Sequence, residues 1–195
     1  MEQIILASGS PRRQEFFKMM GLPFSVVPAD IDESLITHTD PFELTKELAV
    51  SKVKKVVEMT RALSPRWIFG ADTIIAADKK IFGKPSSRQD AALMLGELSG
   101  RQHKVITSMA LFNVQKDTID CRSAFCNVSF SSMNKDEIEW YLETDEWRDA
   151  AGAYRIQGLA ACFIDKIEGC PDTVTGLSLY DFYAMLKDNG YPYGA

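Results

Sequence analysis

Positive charge is scarce in this sequence. Its 195 residues include 22 lysines and arginines against 27 aspartates and glutamates, a net charge of −5. A chain without basic excess does not coat nucleic acid indiscriminately, although a few cations gathered at one point still hold a small anion. Long apolar runs are missing as well. Stretches such as Ile4-Ile5-Leu6-Ala7 and Ala91-Ala92-Leu93-Met94-Leu95 fall far short of the about 20 residues that span a bilayer. The N-terminus brings Glu2 and then Pro11-Arg12-Arg13 where a secretion signal needs an apolar core, so a cytoplasmic address is expected. Histidine and cysteine are sparse: His38 and His103, with Cys121, Cys126, Cys162 and Cys170. Neither histidine has a His or Cys partner at zinc-site spacing. Reduced, mostly packing thiols are therefore expected rather than a disulfide framework or a structural zinc. Repeats, low-complexity tracts and linkers rich in Gly, Ser and Pro are also lacking. With 46% hydrophobic and 25% charged residues, a single folded domain over residues 1–195 is expected.

The pattern of apolar residues predicts a mixed α/β fold. Residues 3–7 read as a short buried strand. Ser10 then stands at an N-cap and Pro11 at the first helical position, predicting a helix to about Met20 that stops at Gly21. Residues 24–28 read as a second strand. Asp40, Pro41 and Glu43 supply N-cap, N1 proline and N3 acid for a long helix with Leu44, Leu48, Val53, Val56 and Val57 on its apolar face. Trp67–Ala77 is the most strand-like run, followed by a turn and a return over 81–83. Ser87 caps a helix ending at Gly100. Residues 104–114 and Thr118–Phe130 make the best hairpin candidate. Asn134 with Glu137, and Ser178 with Asp181, open two further helices, with a strand expected over 159–167 between them. One compact unit with two lobes is predicted, on a mixed sheet.

A few features can carry chemistry. Ser8-Gly9-Ser10-Pro11-Arg12-Arg13 turns from a strand end into a helix N-terminus. Free N–H groups, the helix dipole, two hydroxyls and two guanidiniums suit a phosphate. The ordinary alternative is an N-cap followed by two solvated arginines. Asp72, in Gly70-Ala71-Asp72-Thr73, interrupts an apolar strand. A carboxylate among Ile68, Phe69, Ile74 and Ile75 is costly to bury unpaired. It is held by a cation, binds a metal or acts as a base, unless it lies at a strand end in water. A kink at Gly70-Ala71 would let a ligand approach the backbone. Lys52, Lys84 and Glu33, taken singly, read as solvated charges. Gln157 sits in the glycine-bracketed run from Gly152 to Gly158. Its amide donates and accepts together, as reading a base edge requires; a plain turn glutamine is the alternative.

Several of these runs carry a family resemblance. In order come Leu6-Ala7-Ser8-Gly9-Ser10-Pro11-Arg12-Arg13, Gly70-Ala71-Asp72-Thr73, Gly83-Lys84-Pro85, the Leu98-Ser99-Gly100 run with His103, Val105 and Thr107, and Ala151-Gly152-Ala153-Tyr154-Arg155-Ile156-Gln157-Gly158. Together they resemble the motifs of the Maf family of nucleoside triphosphate pyrophosphatases, from Ile4 to about Leu179. The resemblance implies a two-lobed α/β fold, a mixed sheet with flanking helices similar to inosine triphosphate pyrophosphatases, and a nucleotide in the cleft between lobes. It implies hydrolysis to a nucleoside monophosphate and pyrophosphate, a divalent metal (Mg²⁺ or Mn²⁺) and a homodimer. Neither stable nucleic-acid binding nor a membrane is expected.

On that resemblance Asp72 is the catalytic base and, with Glu33, a candidate metal ligand. Ser8, Arg13, Lys52 and Lys84 would bind the triphosphate, while Arg12, Thr73 and Gln157 would face the base. At those last three positions the chain resembles the dTTP and UTP subgroup, with CTP or modified pyrimidine nucleotides as further substrates. The 7-methyl-GTP subgroup carries Asp-Gln in place of Asp72-Thr73 and Ser-Glu-Gly in place of Ile156-Gln157-Gly158. Two positions depart from the family pattern. Ala150 stands where a lysine is usual, and Thr173-Val174-Thr175-Gly176-Leu177-Ser178 replaces Asn-Val-Val-Gly-Leu-Pro. Housekeeping of the nucleotide pool is the expected use. A 7-methyl-GTP or other modified-nucleotide pyrophosphatase, and a non-catalytic nucleotide sensor regulating cell division, are the alternatives.

Overall fold

The computed structural model describes residues 1–63 and 65–193. The chain runs β1 (Ile4–Leu6), α1 (Pro11–Met19), β2 (Phe24–Val26), α2 (Pro41–Thr60), β3 (Trp67–Ala77), β4 (Lys80–Phe82) and α3 (Arg88–Leu98). It continues with β5 (Gln102–Asn113), β6 (Thr118–Phe130), α4 (Lys135–Leu142), β7 (Ile164–Glu168), α5 (Pro171–Thr175) and α6 (Leu179–Asp188). The strands form one mixed seven-stranded sheet in the order β2-β1-β3-β5-β6-β7, with β4 paired to β3.

Local chemistry explains most boundaries. Asp40 accepts from the N–H groups of Phe42 and Glu43, Ser87 accepts from Asp90, and Asn134 and Glu137 form a reciprocal capping box. Ser10 holds its N-cap position, but its side chain makes no capping bond; Pro11 alone sets the helix start. The strand expected over 159–167 is only half there. Leu159–Phe163 is a 3₁₀ turn, and pairing with β6 begins at Ile164. The buried residues of that turn, Ala160 and Phe163, are spaced for a 3₁₀ helix rather than a strand. The kink expected at Gly70-Ala71 is likewise not found, since β3 runs unbroken through both residues.

Two compact units are defined by internal contacts: Met1–Asp72 with Thr107–Ala124 and Gly176–Ala195, and Thr73–Ile106 with Phe125–Thr175. In the first unit β1 lies parallel between β2 and β3, with Ile4 opposite both Phe24 and Trp67. Alternation along the strands splits its core in two. Ile4, Leu6, Trp67 and Phe69 pack with Phe17 and Phe182, whereas Ile5, Ala7 and Ile68 pack with Ala49, Val53 and Val56 of α2. Both faces are covered, which is why these strands read as continuous apolar runs. The second unit has its own core, including Phe82, Leu95, Phe130, Tyr141, Trp147 and Tyr154. Its strand pairs β3–β4 and β6–β7 are antiparallel. All four cysteines are free. Among the described residues no helix is long and apolar enough to cross a membrane.

Candidate active site

Strand parity places Asp72. Because Ile68 faces α2, Gly70 and Asp72 face it too, on the same side as Ala49 and Val53. Gly70 lets the helix come close. A Cβ there would stand 2.9 Å from Val53 Cγ2 and 3.1 Å from the Ala49 carbonyl oxygen. The glycine thus serves helix packing rather than the approach of a ligand to the backbone. Lys52, on the same helix face, reaches Asp72 Oδ1 at 2.5 Å, and the same ammonium lies 2.7 Å from Glu33 Oε1.

The solvated readings of Asp72 and Lys52 are therefore corrected, whereas Glu33 remains an exposed loop acid that pairs with the lysine. Asp72 is 7% exposed, not a strand-end carboxylate in water. The Lys52 side chain is 12% exposed and joins two acids. The pairing compensates the desolvation of Asp72 and Lys52, and removing either charge leaves the other poorly matched. Glu33 opens a 3₁₀ turn (Glu33–Leu35) whose preceding residue, Asp32, accepts from the Ser34 N–H. This short local turn holds Glu33 beside Lys52.

Arg13 is buried as well, which excludes the reading of two solvated arginines. Its Nε donates to the Gly176 carbonyl at 3.0 Å and its Nη1 to Ser8 Oγ at 3.1 Å; Ser8 Oγ also accepts from the Ser10 N–H at 3.3 Å. Burial lowers the guanidinium's pKa, and the negative charge of Asp72 opposes that shift. Arginine remains charged under any such shift. The contact to residue 176 uses a backbone carbonyl, so the altered side chains around Gly176 leave it intact. Arg12 is half-buried.

The second unit carries the remaining candidates. Thr73 is half-buried, Lys84 exposed, and Gln157 exposed in the loop before the 3₁₀ turn Leu159–Phe163. The Gly83 carbonyl, next to Lys84, accepts from the Gly152 N–H at 2.9 Å. Gly152 adopts φ +63°, and a Cβ there would lie 2.5 Å from Ile75 Cδ1, so only glycine fits this turn. Ala150, at the position where a lysine was expected, is buried. His103 Nε2 lies 2.8 Å from Tyr154 Oη. Burial lowers the imidazole's pKa to about 4 and raises the Tyr154 phenol's well above its ordinary value. Both groups are neutral near pH 7.

For a metal, the chemistry of the donors decides. Among the described residues no cluster of three or more His, Cys, Asp or Glu is poised for one. Asp72 and Glu33 nevertheless converge on one positive charge, and two carboxylates completed by phosphate oxygens and water are a set that Mg²⁺ or Mn²⁺ takes. The residues fit such a cation. Sequence reasoning missed Tyr141 and Glu146, which hold the Gln157 loop; the only available signal was Gly158, the glycine that brackets that turn.

A mixed α/β sheet thus carries a buried carboxylate with its lysine and a buried arginine at a strand-to-helix turn, charges with which a small anion can pair. The profile of the Maf-like protein family matches residues 3–189, and the chain belongs to that family. It is 41% identical to a dTTP/UTP pyrophosphatase of Symbiobacterium thermophilum, over 98% of this chain and 96% of that one. A dTTP/UTP pyrophosphatase of Desulforamulus reducens is also 41% identical, over 92% of each. Among solved structures, a nucleoside-triphosphatase / dITP/XTP pyrophosphatase from Mycobacterium abscessus superposes with a TM-score of 0.46 at 12% identity, covering 96% of this chain and 94% of that one.

Proposed function

We propose that the chain is a nucleoside triphosphate pyrophosphatase that hydrolyses dTTP and UTP, with CTP a weaker substrate, to the monophosphate and pyrophosphate. The observation that carries this reading is the Lys52 ammonium held between the Asp72 and Glu33 carboxylates. An arriving triphosphate competes for the lysine, and Asp72 and Glu33 would hold a divalent cation such as Mg²⁺ or Mn²⁺. The pairing loosens as substrate binds, and Asp72 regains a carboxylate oxygen able to accept a proton. Water then attacks the α-phosphorus, its proton passes to Asp72, and the bond to the bridging oxygen breaks with release of pyrophosphate. Ser8, Arg13, Lys52 and Lys84 bind the phosphates and offset the charge that builds on the leaving group. The metal, held by Asp72 and Glu33, would supply further neutralisation of phosphate oxygens.

Arg12, Thr73 and Gln157 face the base on this reading. Uracil and thymine present an N3–H donor between two carbonyls. The Gln157 amide accepts from the first and donates to the second, while Arg12 donates only. A 7-methylated guanine is larger and positively charged, which Arg12 opposes. The enzyme would work in the cytoplasm as a homodimer, clearing unwanted pyrimidine nucleotides.

Pyrophosphate release by purified protein from dTTP, UTP, CTP and 7-methyl-GTP, with each metal, tests the proposal. The first two should lead and 7-methyl-GTP should trail. Release from none of them would overturn the enzymatic reading and, with dTTP still bound, would leave a silent nucleotide binder; a preference for 7-methyl-GTP would overturn the assignment of the base pocket.

A further inference from the structure

The loop bearing Gln157 is clasped on both sides by one short segment. Tyr141 Oη accepts from the Arg155 N–H at 3.2 Å, and Arg155 Nη2 donates to the Arg148 carbonyl at 2.7 Å. Beyond Gln157, Glu146 Oε2 accepts from the Leu159 N–H at 2.8 Å. The bonds thus fall two residues before Gln157 and two residues after it. Between them the Gly158 N–H closes a turn on the Arg155 carbonyl at 3.1 Å. The clasp itself is pinned: Thr144 Oγ1 donates to the Tyr141 carbonyl at 2.6 Å and accepts from the Glu146 N–H at 3.2 Å.

Gly158 is part of the same device. A Cβ at that position would lie 2.1 Å from Glu146 Oε2 and 2.6 Å from its carboxyl carbon. The carboxylate occupies the space that any side chain at 158 would need. It also satisfies an N–H at the start of the 3₁₀ turn Leu159–Phe163, where the preceding Gly158 offers no side-chain cap. Gln157 itself is exposed. An exposed side chain aims reliably only when its backbone is held, because recognition is lost as loop freedom must be frozen on binding.

We infer that Glu146 is a positioning residue for base recognition: its carboxylate fixes the Gln157 loop and so sets how strongly the enzyme prefers dTTP to CTP. The inference rests on the proposed reading of Gln157. Steady-state kinetics for dTTP and CTP test both, using wild type, Gln157→Ala, Glu146→Ala, Glu146→Gln, Gly158→Ala and the Gln157→Ala/Glu146→Ala double variant. Gln157→Ala should lower the dTTP/CTP ratio of kcat/KM by about tenfold, the scale on which a site built around a hydrogen bond discriminates. Glu146→Ala should lower the ratio to a similar degree through the KM for dTTP, with kcat within about threefold, and should add nothing in the double variant. Glu146→Gln keeps an acceptor oxygen and should restore most of the ratio. Gly158→Ala displaces the carboxylate and should mimic its loss.

An unchanged ratio in Gln157→Ala would overturn the reading of that residue and the inference with it. A lowered ratio in Gln157→Ala but not in Glu146→Ala would overturn the inference alone. A Glu146→Ala variant that loses kcat equally on both nucleotides, together with thermal stability, would show a structural residue and no positioning role.

Discussion

The two compact units differ in whether they bury charge. The first buries charge and pairs it: Asp72 with Lys52, and Arg13 against Ser8 and a carbonyl. The second buries polar groups that stay neutral, with His103 against Tyr154 and Trp147 Nε1 donating to the Leu142 carbonyl. Buried charges must be matched, so a ligand that replaces one partner gains from the other. Neutral buried pairs hold geometry without attracting ions. On the proposed reading the division is apt. A highly charged triphosphate needs the first kind of site, and an uncharged pyrimidine edge needs a firmly held amide.

The largest expected break in this contrast is Asp72→Asn. The substitution keeps shape, removes the proton acceptor and leaves Lys52 paired with Glu33 alone. Turnover should fall by at least ~100-fold, with nucleotide affinity held within about tenfold. A rate above about a tenth of wild type would mean that another group accepts the proton, and the charged unit would lose its catalytic role.

His103 tests the neutral unit. Burial lowers its pKa from the ordinary 6.5 to about 4 in the folded protein. As pH falls below 6.5 the unfolded chain takes up a proton that the folded chain refuses, so stability declines until the folded imidazole also protonates near pH 4. The full loss is about 3 kcal/mol. Carboxylates add acid sensitivity of their own, so the measurement is the difference between wild type and His103→Gln in urea denaturation from pH 7 to 4. That difference should grow in the wild type's disfavour as pH drops; a constant difference would mean that the imidazole protonates as readily folded as unfolded.

Arg13→Ala sharpens the assignment of charge to phosphate. It removes a guanidinium bonded to Ser8 and to the Gly176 carbonyl. All nucleoside triphosphates should bind more weakly by about the same amount, ~1.5–3 kcal/mol for a charge-assisted bond. Added salt should weaken the wild type more than the variant. A loss confined to one base would move Arg13 into base recognition.

Which features were legible in the sequence follows the range of the interactions. Helix starts at Asp40, Ser87, Asn134 and Ser178 were readable because a cap is a contact over three residues. Asp72 was readable as an acid among Ile68, Phe69, Ile74 and Ile75. That Lys52 joins it to Glu33 was not, because the packing of α2 brings the lysine to Asp72, a separate turn brings Glu33, and each of these two partners looks solvated by itself. Gly70 reads as a kink in the sequence because a glycine in a strand marks either irregular backbone or a close neighbour, and only the packing of α2 shows which. Leu159–Phe163 misled through its unbroken apolar run, whose period does not separate a strand from a tight helix. Glu146 carried no signal beyond the glycine it presses against.

The smallest expected effect concerns Gly70 in β3. Gly70→Ala adds one methyl 2.9 Å from Val53 Cγ2, 3.1 Å from the Ala49 carbonyl oxygen and 3.5 Å from Lys52 Cβ. Val53 can turn, but the carbonyl belongs to the backbone of α2, so relief requires the helix to shift outward. Overpacking of this kind costs ~1–3 kcal/mol of stability. The shift carries Lys52 away from Asp72, so kcat/KM should fall beyond what the stability loss explains at a temperature where the variant is fully folded. Gly96→Ala is the control: it lies within α3, meets nothing within 4 Å, and should stabilise by roughly 0.5–1 kcal/mol through helix propensity without touching activity. Urea denaturation and dTTP hydrolysis on both variants decide the matter. If Gly70→Ala proves as harmless as Gly96→Ala, the close approach of α2 to β3 is not what delivers the lysine, and the buried charges of the first unit owe their arrangement to Glu33 and its turn.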